Sequence, residues 1–319
     1  MWMGIDRLLQ KFSKHKRLIL MYHGVIRDPD TAINGRHLPI NDFEEQLIYF
    51  KRNFDIVRLA KICEMQHNGI LPEKHTIALT FDDGFLNNIS NALPLLKKYQ
   101  IPATFFICTA SLDDDSYIHP SDYLDLINFS QTSEVVINGK VFRKNRYHLS
   151  DIETKRSVYE YINSLSFHAW KKTLSDLRLK YPAAEITRRA NHDTYKLITG
   201  TAFSRLLKEE LITIGSHGHW HVNLAILADS EVREQLDKSK QLLMKHGIGT
   251  VESVAFPYGY FNEKVLSISR EVGYRYLIAG GSVEEKNRTF VFPRKGVLNL
   301  AGSAFNILSI NRGFNRFGF

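Results

Sequence analysis

The chain has 319 residues, 44% hydrophobic and 24% charged, with a formal net charge of +8. That composition suits a globular chain large enough to bury its own core, and it argues against a disordered, collagen-like or disulfide-stapled one. Cys63 and Cys108, the two cysteines, sit in apolar sequence and read as reduced core residues. No run reaches the roughly 18 apolar residues of a membrane span.

At the start, Ile5, Leu8, Leu9 and Phe12 recur at helical spacing among Arg7, Lys11, Lys14, Lys16 and Arg17. Residues 1–16 therefore read as a basic amphipathic segment. It either packs on the domain with a solvated basic face or lies on an anionic membrane. The first apolar run is too short for a secretory signal, so a cytoplasmic location is expected, with peripheral contact at the inner membrane face left open. Residues 17–319 read as one domain. Apolar runs fall at 18–22, 56–59, 76–81, 103–108, 211–215, 251–256 and 274–279. Helical patterns fall between them at 42–52, 87–99, 229–247 (capped by Asp229) and 263–272. Such alternation predicts an α/β fold of parallel strands covered by helices. The rhythm breaks at about 111–200. There Asn138-Gly139 predicts a hairpin with a type I′ turn, and helical patterns follow at 150–165 and 169–179. We read this as a mostly helical insertion between two strands, serving as a lid, a substrate rim or a structural ornament. The basic balance also suits an acidic polymer, but no zinc-finger spacing or RNA-binding aromatic signature supports nucleic acid.

The chemistry gathers where the apolar runs end. One run delivers Thr80-Phe81-Asp82-Asp83-Gly84, another Ser216-His217-Gly218-His219-Trp220-His221, a third Phe256-Pro257-Tyr258-Gly259, and the first ends at Tyr22-His23-Gly24. In a barrel of parallel strands these are carboxyl-terminal strand ends, the face on which active sites are built. A carboxylate with two imidazoles four residues apart can hold a divalent ion, leaving the second carboxylate to act as a base. Exposed turn aspartates before a helix would look the same in isolation. His219 has the wrong phase to join His217 and His221.

Taken together these peptides resemble the NodB-type polysaccharide deacetylases, carbohydrate esterase family four. Thr80-Phe81-Asp82-Asp83-Gly84 matches that family's first motif, His217 and His221 its second, and Pro257-Tyr258 its third. Leu20-Met21-Tyr22-His23-Gly24-Val25 resembles one branch of it. The resemblance covers about residues 17–110 and 201–300 and implies a distorted (β/α) barrel of about seven parallel strands. It implies Asp82 as general base, and Asp83, His217 and His221 as ligands of a metal, most often zinc. It further implies an oxyanion site at the Tyr258 backbone N–H. The substrate class it implies is an N-acetylated carbohydrate.

Two departures stand out. The third-motif arginine that orients the base is replaced by Val254-Ala255-Phe256, and Arg294 resembles the arginine that fills this role in some branches. No histidine follows Arg294, so the family's late acid histidine is missing. His23 is the expected substitute, with His119 a more remote one. The expected activity is metal-dependent removal of N-acetyl groups from a polysaccharide or glycan intermediate. An O-acetyl esterase, a small-amide hydrolase or a catalytically impaired glycan-binding protein are the alternatives.

Overall fold

The computed structural model describes residues 16–130, 132–145, 148–188, 190–281, 290–298 and 302–316. Apart from Lys16, the expected N-terminal amphipathic segment lies outside them. In chain order the strands are β1 Arg17–Tyr22, β2 Gly24–Ile26, β3 His37–Pro39, β4 Asp55–Ile56, β5 Thr76–Phe81, β6 Ala103–Ile107, β7 Glu134–Ile137, β8 Lys140–Lys144, β9 Leu149–Asp151, β10 Ile212–Ser216, β11 Ser253–Ala255, β12 Tyr276–Ile278, β13 Val291–Phe292 and β14 Lys295–Gly296. Nine form one curled sheet in the order β13-β12-β11-β10-β6-β5-β1-β14, with β4 beside β5. Every pairing in it is parallel. This is the expected distorted (β/α) barrel architecture, with nine strands rather than about seven. The two strands beyond the seven apolar runs are β13 and β14, each two residues long.

All six residues of β5 are buried, and all five of β6. Strands covered on both faces need continuous apolar runs, which these are. Register aligns their ends. Tyr22 pairs with Phe81, Phe81 with Phe105, and Ile107 with Ser216. The rings follow the register, with Phe81 stacked on Tyr22 at 5.2 Å and edge-on to Phe105 at 5.0 Å. Truncating one such core phenylalanine to alanine costs about 3–5 kcal/mol. The same register places His23, Asp82, Asp83 and His217, which follow β1, β5 and β10, at one end of the sheet.

Helices cover the faces. Ile40–Asn53 buries Phe43, Leu47 and Phe50 at helical spacing. Asp229–Lys245 buries Val232, Leu236 and Leu243. Its cap is Ala228 rather than Asp229, because the Ala228 N–H donates to the Glu231 carboxylate at 2.8 Å. Asp229 is instead the first helical residue, where a negative charge suits the helix dipole. The pattern at 87–99 resolves into a π-helix, Asn88–Ala92, continued by the α-helix Leu93–Tyr99. Asparagines explain the irregular turn. Asn88 Nδ2 donates to the His23 carbonyl and Asn91 Nδ2 to that of Val25, each at 2.8 Å. The turn thereby ties down the backbone that carries His23.

Between β6 and β10, the antiparallel β7 and β8 join through Asn138 (φ 50°) and Gly139 (φ 77°), the positive pair a type I′ turn requires. The helix expected at 150–165 is shorter, Val158–Ile162. Its first part is β9 and a turn, in which the Asp151 carboxylate accepts from the Glu153 and Thr154 N–H groups. Ser157 and Glu160 then form a capping box that starts the helix. The next helix, Phe167–Lys180, matches the expected 169–179 closely. Cys63 and Cys108 are buried and unbonded to each other.

Candidate active site

Asp82 continues β5, its N–H donating to the Tyr22 carbonyl at 2.9 Å. The chain then turns at Asp83 itself, which adopts φ 73°, followed by Gly84 at φ 79°. On an undistorted strand the two carboxylates would point to opposite faces. Here both line one cavity of about 280 Å³, together with His23, His217, His221 and Arg294. Tyr258 lines it too, from the turn after β11. Asp83, His221 and Tyr258 all hold positive φ (73°, 52° and 58°), a conformation that costs a non-glycine residue roughly 1–3 kcal/mol and is seen mostly where function requires it.

Asp82 is buried and gripped by a fork. Arg294 Nη1 donates to Oδ1 at 2.6 Å and Nη2 to Oδ2 at 2.7 Å. Arg294 is itself 1% exposed and steadied by the Thr80 hydroxyl and the Ala279 carbonyl. Burial alone would raise the Asp82 pKa. The Arg294 guanidinium, with His217 and His23, outweighs it and holds the carboxyl below its ordinary value. Arg294 thus reaches Asp82 from a different strand end than the third motif.

His217 lies in a backbone-fixed orientation. A carbonyl can only accept, so Nδ1–H donates to the Ala255 carbonyl at 2.8 Å and Nε2 is turned to the site; burial would lower the His217 pKa, but Asp82 and Asp83 raise it. That Nε2 is 3.3 Å from Asp83 Oδ1, and His221 Nε2 is 3.2 Å from the same oxygen. Neither Asp83 oxygen accepts a hydrogen bond, although Asp83 is 1% exposed. Burial would raise the Asp83 pKa, but the neighbouring imidazoles, His221 first, hold it well below the ordinary value. Burial lowers the His221 pKa. An ionised carboxylate, a neutral imidazole and unpaired donor atoms converging in a dry pocket are what a divalent ion requires. Asp83, His217 and His221 therefore fit the group.

His219 turns away. Its Nδ1 meets the Thr109 hydroxyl at 3.0 Å, and it lines a separate cavity of about 490 Å³ with Trp170 and Trp220. His23 faces the site cavity with an unpartnered buried Nδ1, and burial lowers its pKa. Of the other aromatics singled out by the sequence, Tyr260 is 54% exposed and lines a neighbouring cavity of about 710 Å³, and Phe261 packs on Phe256 at 5.5 Å.

His119, named by the sequence only as a more remote substitute for the missing acid histidine, has its ring centroid 4.4 Å from that of His221. Arg36 escapes the sequence reading. Arg36 donates to the Ser121 hydroxyl and to the Asp122 and Asp125 carboxylates, and its Nη1 is 3.9 Å from Asp83 Oδ2. Arg36 and Tyr258 line both the 280 Å³ cavity and the 710 Å³ one, so the two adjoin at these side chains. Arg36 lies in a loop with no apolar rhythm, and nothing in its local sequence points to the site.

The profile of the family described as "Polysaccharide deacetylase" matches residues 70–139 and 168–277. The poly-beta-1,6-N-acetyl-D-glucosamine N-deacetylase of Staphylococcus aureus is 22% identical over 288 residues, covering 86% of this chain and 75% of that protein. Among solved structures, the deacetylase PplD of Streptococcus pyogenes in complex with acetate superposes with a TM-score of 0.60 at 17% identity, over 92% of this chain and 96% of that one. IcaB from Ammonifex degensii gives 0.59 at 14% identity, over 95% and 98%. The two superpositions show a shared fold, and the family match spans the strands that carry Asp82, Asp83, His217 and His221. The chain belongs to the polysaccharide deacetylase family.

Proposed function

We propose that this protein is a metal-dependent hydrolase that removes N-acetyl groups from a polymer or oligomer of N-acetylglucosamine. The observation that carries the reading is the division of labour between adjacent carboxylates. Asp83 faces two imidazole nitrogens without a hydrogen bond of its own, while Asp82 is held ionised by Arg294. The likeness to a poly-beta-1,6-N-acetyl-D-glucosamine N-deacetylase supports the substrate class.

Asp83, His217 and His221 would hold a divalent ion, zinc being the expected one. When bound there, such an ion supplies Lewis-acid chemistry, polarising an acyl oxygen and lowering the pKa of a water. Asp82 takes the proton of the attacking water, and Arg294 keeps its two oxygens oriented for that transfer. The Tyr258 backbone N–H is assigned to the oxyanion. The leaving amine needs a proton. His23 lines the cavity with a free Nδ1 and is assigned to pass to the amine the proton that Asp82 takes from the water, cycling between the neutral form its burial favours and the protonated form. Arg36 and Tyr258, shared with the adjoining polar cavity, place the next sugar of the chain.

The test is acetate release from poly-β-1,6-N-acetylglucosamine and from chitooligomers, with and without chelator. Wild-type protein should release acetate and lose that activity on chelation. Asp82→Asn should cut kcat by about 10²–10⁴-fold, the usual contribution of a general base. Acetate release unaffected by complete metal removal would sink the proposal.

A further inference from the structure

The segment between β6 and β10 delivers one residue into the site that the family motifs do not contain. His119 is 0% exposed, and neither of its ring nitrogens has a partner. A buried imidazole left wholly unpaired is costly, and native structures seldom tolerate it without an unseen partner. The ring has little freedom. Phe85 lies 6.2 Å from it, Tyr117 6.0 Å and His221 4.4 Å, measured between centroids. Its backbone is fixed too, because the His119 carbonyl accepts from the Tyr123 N–H at 2.8 Å at the start of the helix Pro120–Phe129. That helix is anchored to the barrel through Asp122 and Asp125 on Arg36.

The direction of the ring is equally specific. One nitrogen of His119, one of His221 and one oxygen of Asp83 lie within 4.8 Å of one another. Those three atoms are close enough to share one ion, and the two Asp83 oxygens are themselves without hydrogen bonds. His217 Nε2 approaches the same carboxylate from β10, 3.3 Å from Oδ1. Three imidazoles from two parts of the chain therefore surround Asp83.

We infer that His119 is a further ligand of the ion held by Asp83, His217 and His221. The inference rests on the reading that these three bind a metal, and it adds that the segment between β6 and β10 completes the site. Three imidazoles and one carboxylate leave room for water and an acyl oxygen only if the ion accepts five or six donors. The centre should then favour ions that take such geometries readily, and its occupancy should depend on how that segment is seated.

The experiment is a titration of chelator-treated full-length protein with Co²⁺, followed by visible absorption and by competition with a metal-binding dye. Wild type should bind one equivalent with the weak spectrum of a five- or six-coordinate ion. His119→Ala should bind about 100-fold more weakly, the upper end of what loss of even an outer partner costs, and its spectrum should change. His219→Ala, whose ring faces the other cavity, should match wild type in both. If His119→Ala matches wild type while His221→Ala does not bind, the inference falls and the three-ligand reading stands. If wild type binds neither Co²⁺ nor Zn²⁺, both fall. Should His119→Ala fail to fold by circular dichroism, X-ray absorption at the zinc edge of wild type decides. Three imidazoles support the inference, and two overturn it.

Discussion

Two arginines serve the adjacent carboxylates Asp82 and Asp83, and they do different work. Arg294 spends its fork on a single carboxylate, with both Asp82 oxygens engaged and almost no solvent contact. Arg36 is shared among Asp122, Asp125 and more distantly Asp83, and its side chain is 20% exposed. The carboxylates respond in opposite ways. Asp82 is held below its ordinary pKa because Arg294, together with His217 and His23, outweighs burial, whereas burial keeps Asp122 well above it despite Arg36. One of the Asp122 oxygens has no partner at all. A dedicated fork fixes a carboxylate in its ionised form. A shared arginine fastens the segment between β6 and β10 to the barrel and leaves a carboxyl able to hold a proton.

The sharpest way to break this comparison is Arg294→Met. It strands a buried charge, and removing one partner of such a pair costs about 3–5 kcal/mol. Urea unfolding should show that loss, and Asp82→Leu on the same background should recover part of it. Single and double variants of equal stability would mean the fork matters for orientation alone. Arg36→Met should cost less, about 1.5–3 kcal/mol, the range for hydrogen bonds to charged groups, because water reaches Arg36 and Asp122 can take up a proton. If the Arg36 variant is the less stable of the two, the ranking by solvent access is wrong. Acetate release should separate them as well. Loss of Arg294 should fall on kcat through Asp82, and loss of Arg36 on KM through the cavity it shares.

How much of this was legible in the sequence follows the same division. Asp82, Asp83, His217 and His221 stand at the ends of apolar runs, and register between parallel strands brings such ends together wherever they fall in the chain. Arg294 was legible for a related reason, following a short apolar pair. The carboxylate it would grip, 212 residues away, was not a matter of spacing but of resemblance. Arg36 was not singled out, and His119 was singled out only as a more remote substitute for the missing acid histidine. Each sits in a connection whose course is set by packing against distant elements, so no local period carries the information. The helix expected at 150–165 failed for a nearby reason. Asp151 binds the backbone just after it, and that local bond diverts the chain into a turn before Ser157 can cap a helix.

The smallest effect, and the one that tests the opposite signs directly, is the pH dependence of stability. Asp82 has a folded pKa below 3.8, so its contribution is complete above the unfolded value and is lost as pH falls through the folded one. Asp122 has a folded pKa above 3.8, so its contribution is complete below the unfolded value and is lost as pH rises through the folded one. Each group can tilt the profile by at most about 1.4 kcal/mol per pH unit. Asp122→Asn should therefore flatten the limb on which stability declines with rising pH and leave the protein at least as stable as wild type at pH 7. Asp82→Asn should flatten the acid limb instead. Denaturant midpoints across the pH range read both. If the two variants flatten the same limb, then Arg36 holds Asp122 ionised much as Arg294 holds Asp82, and the contrast between a dedicated and a shared arginine does not exist.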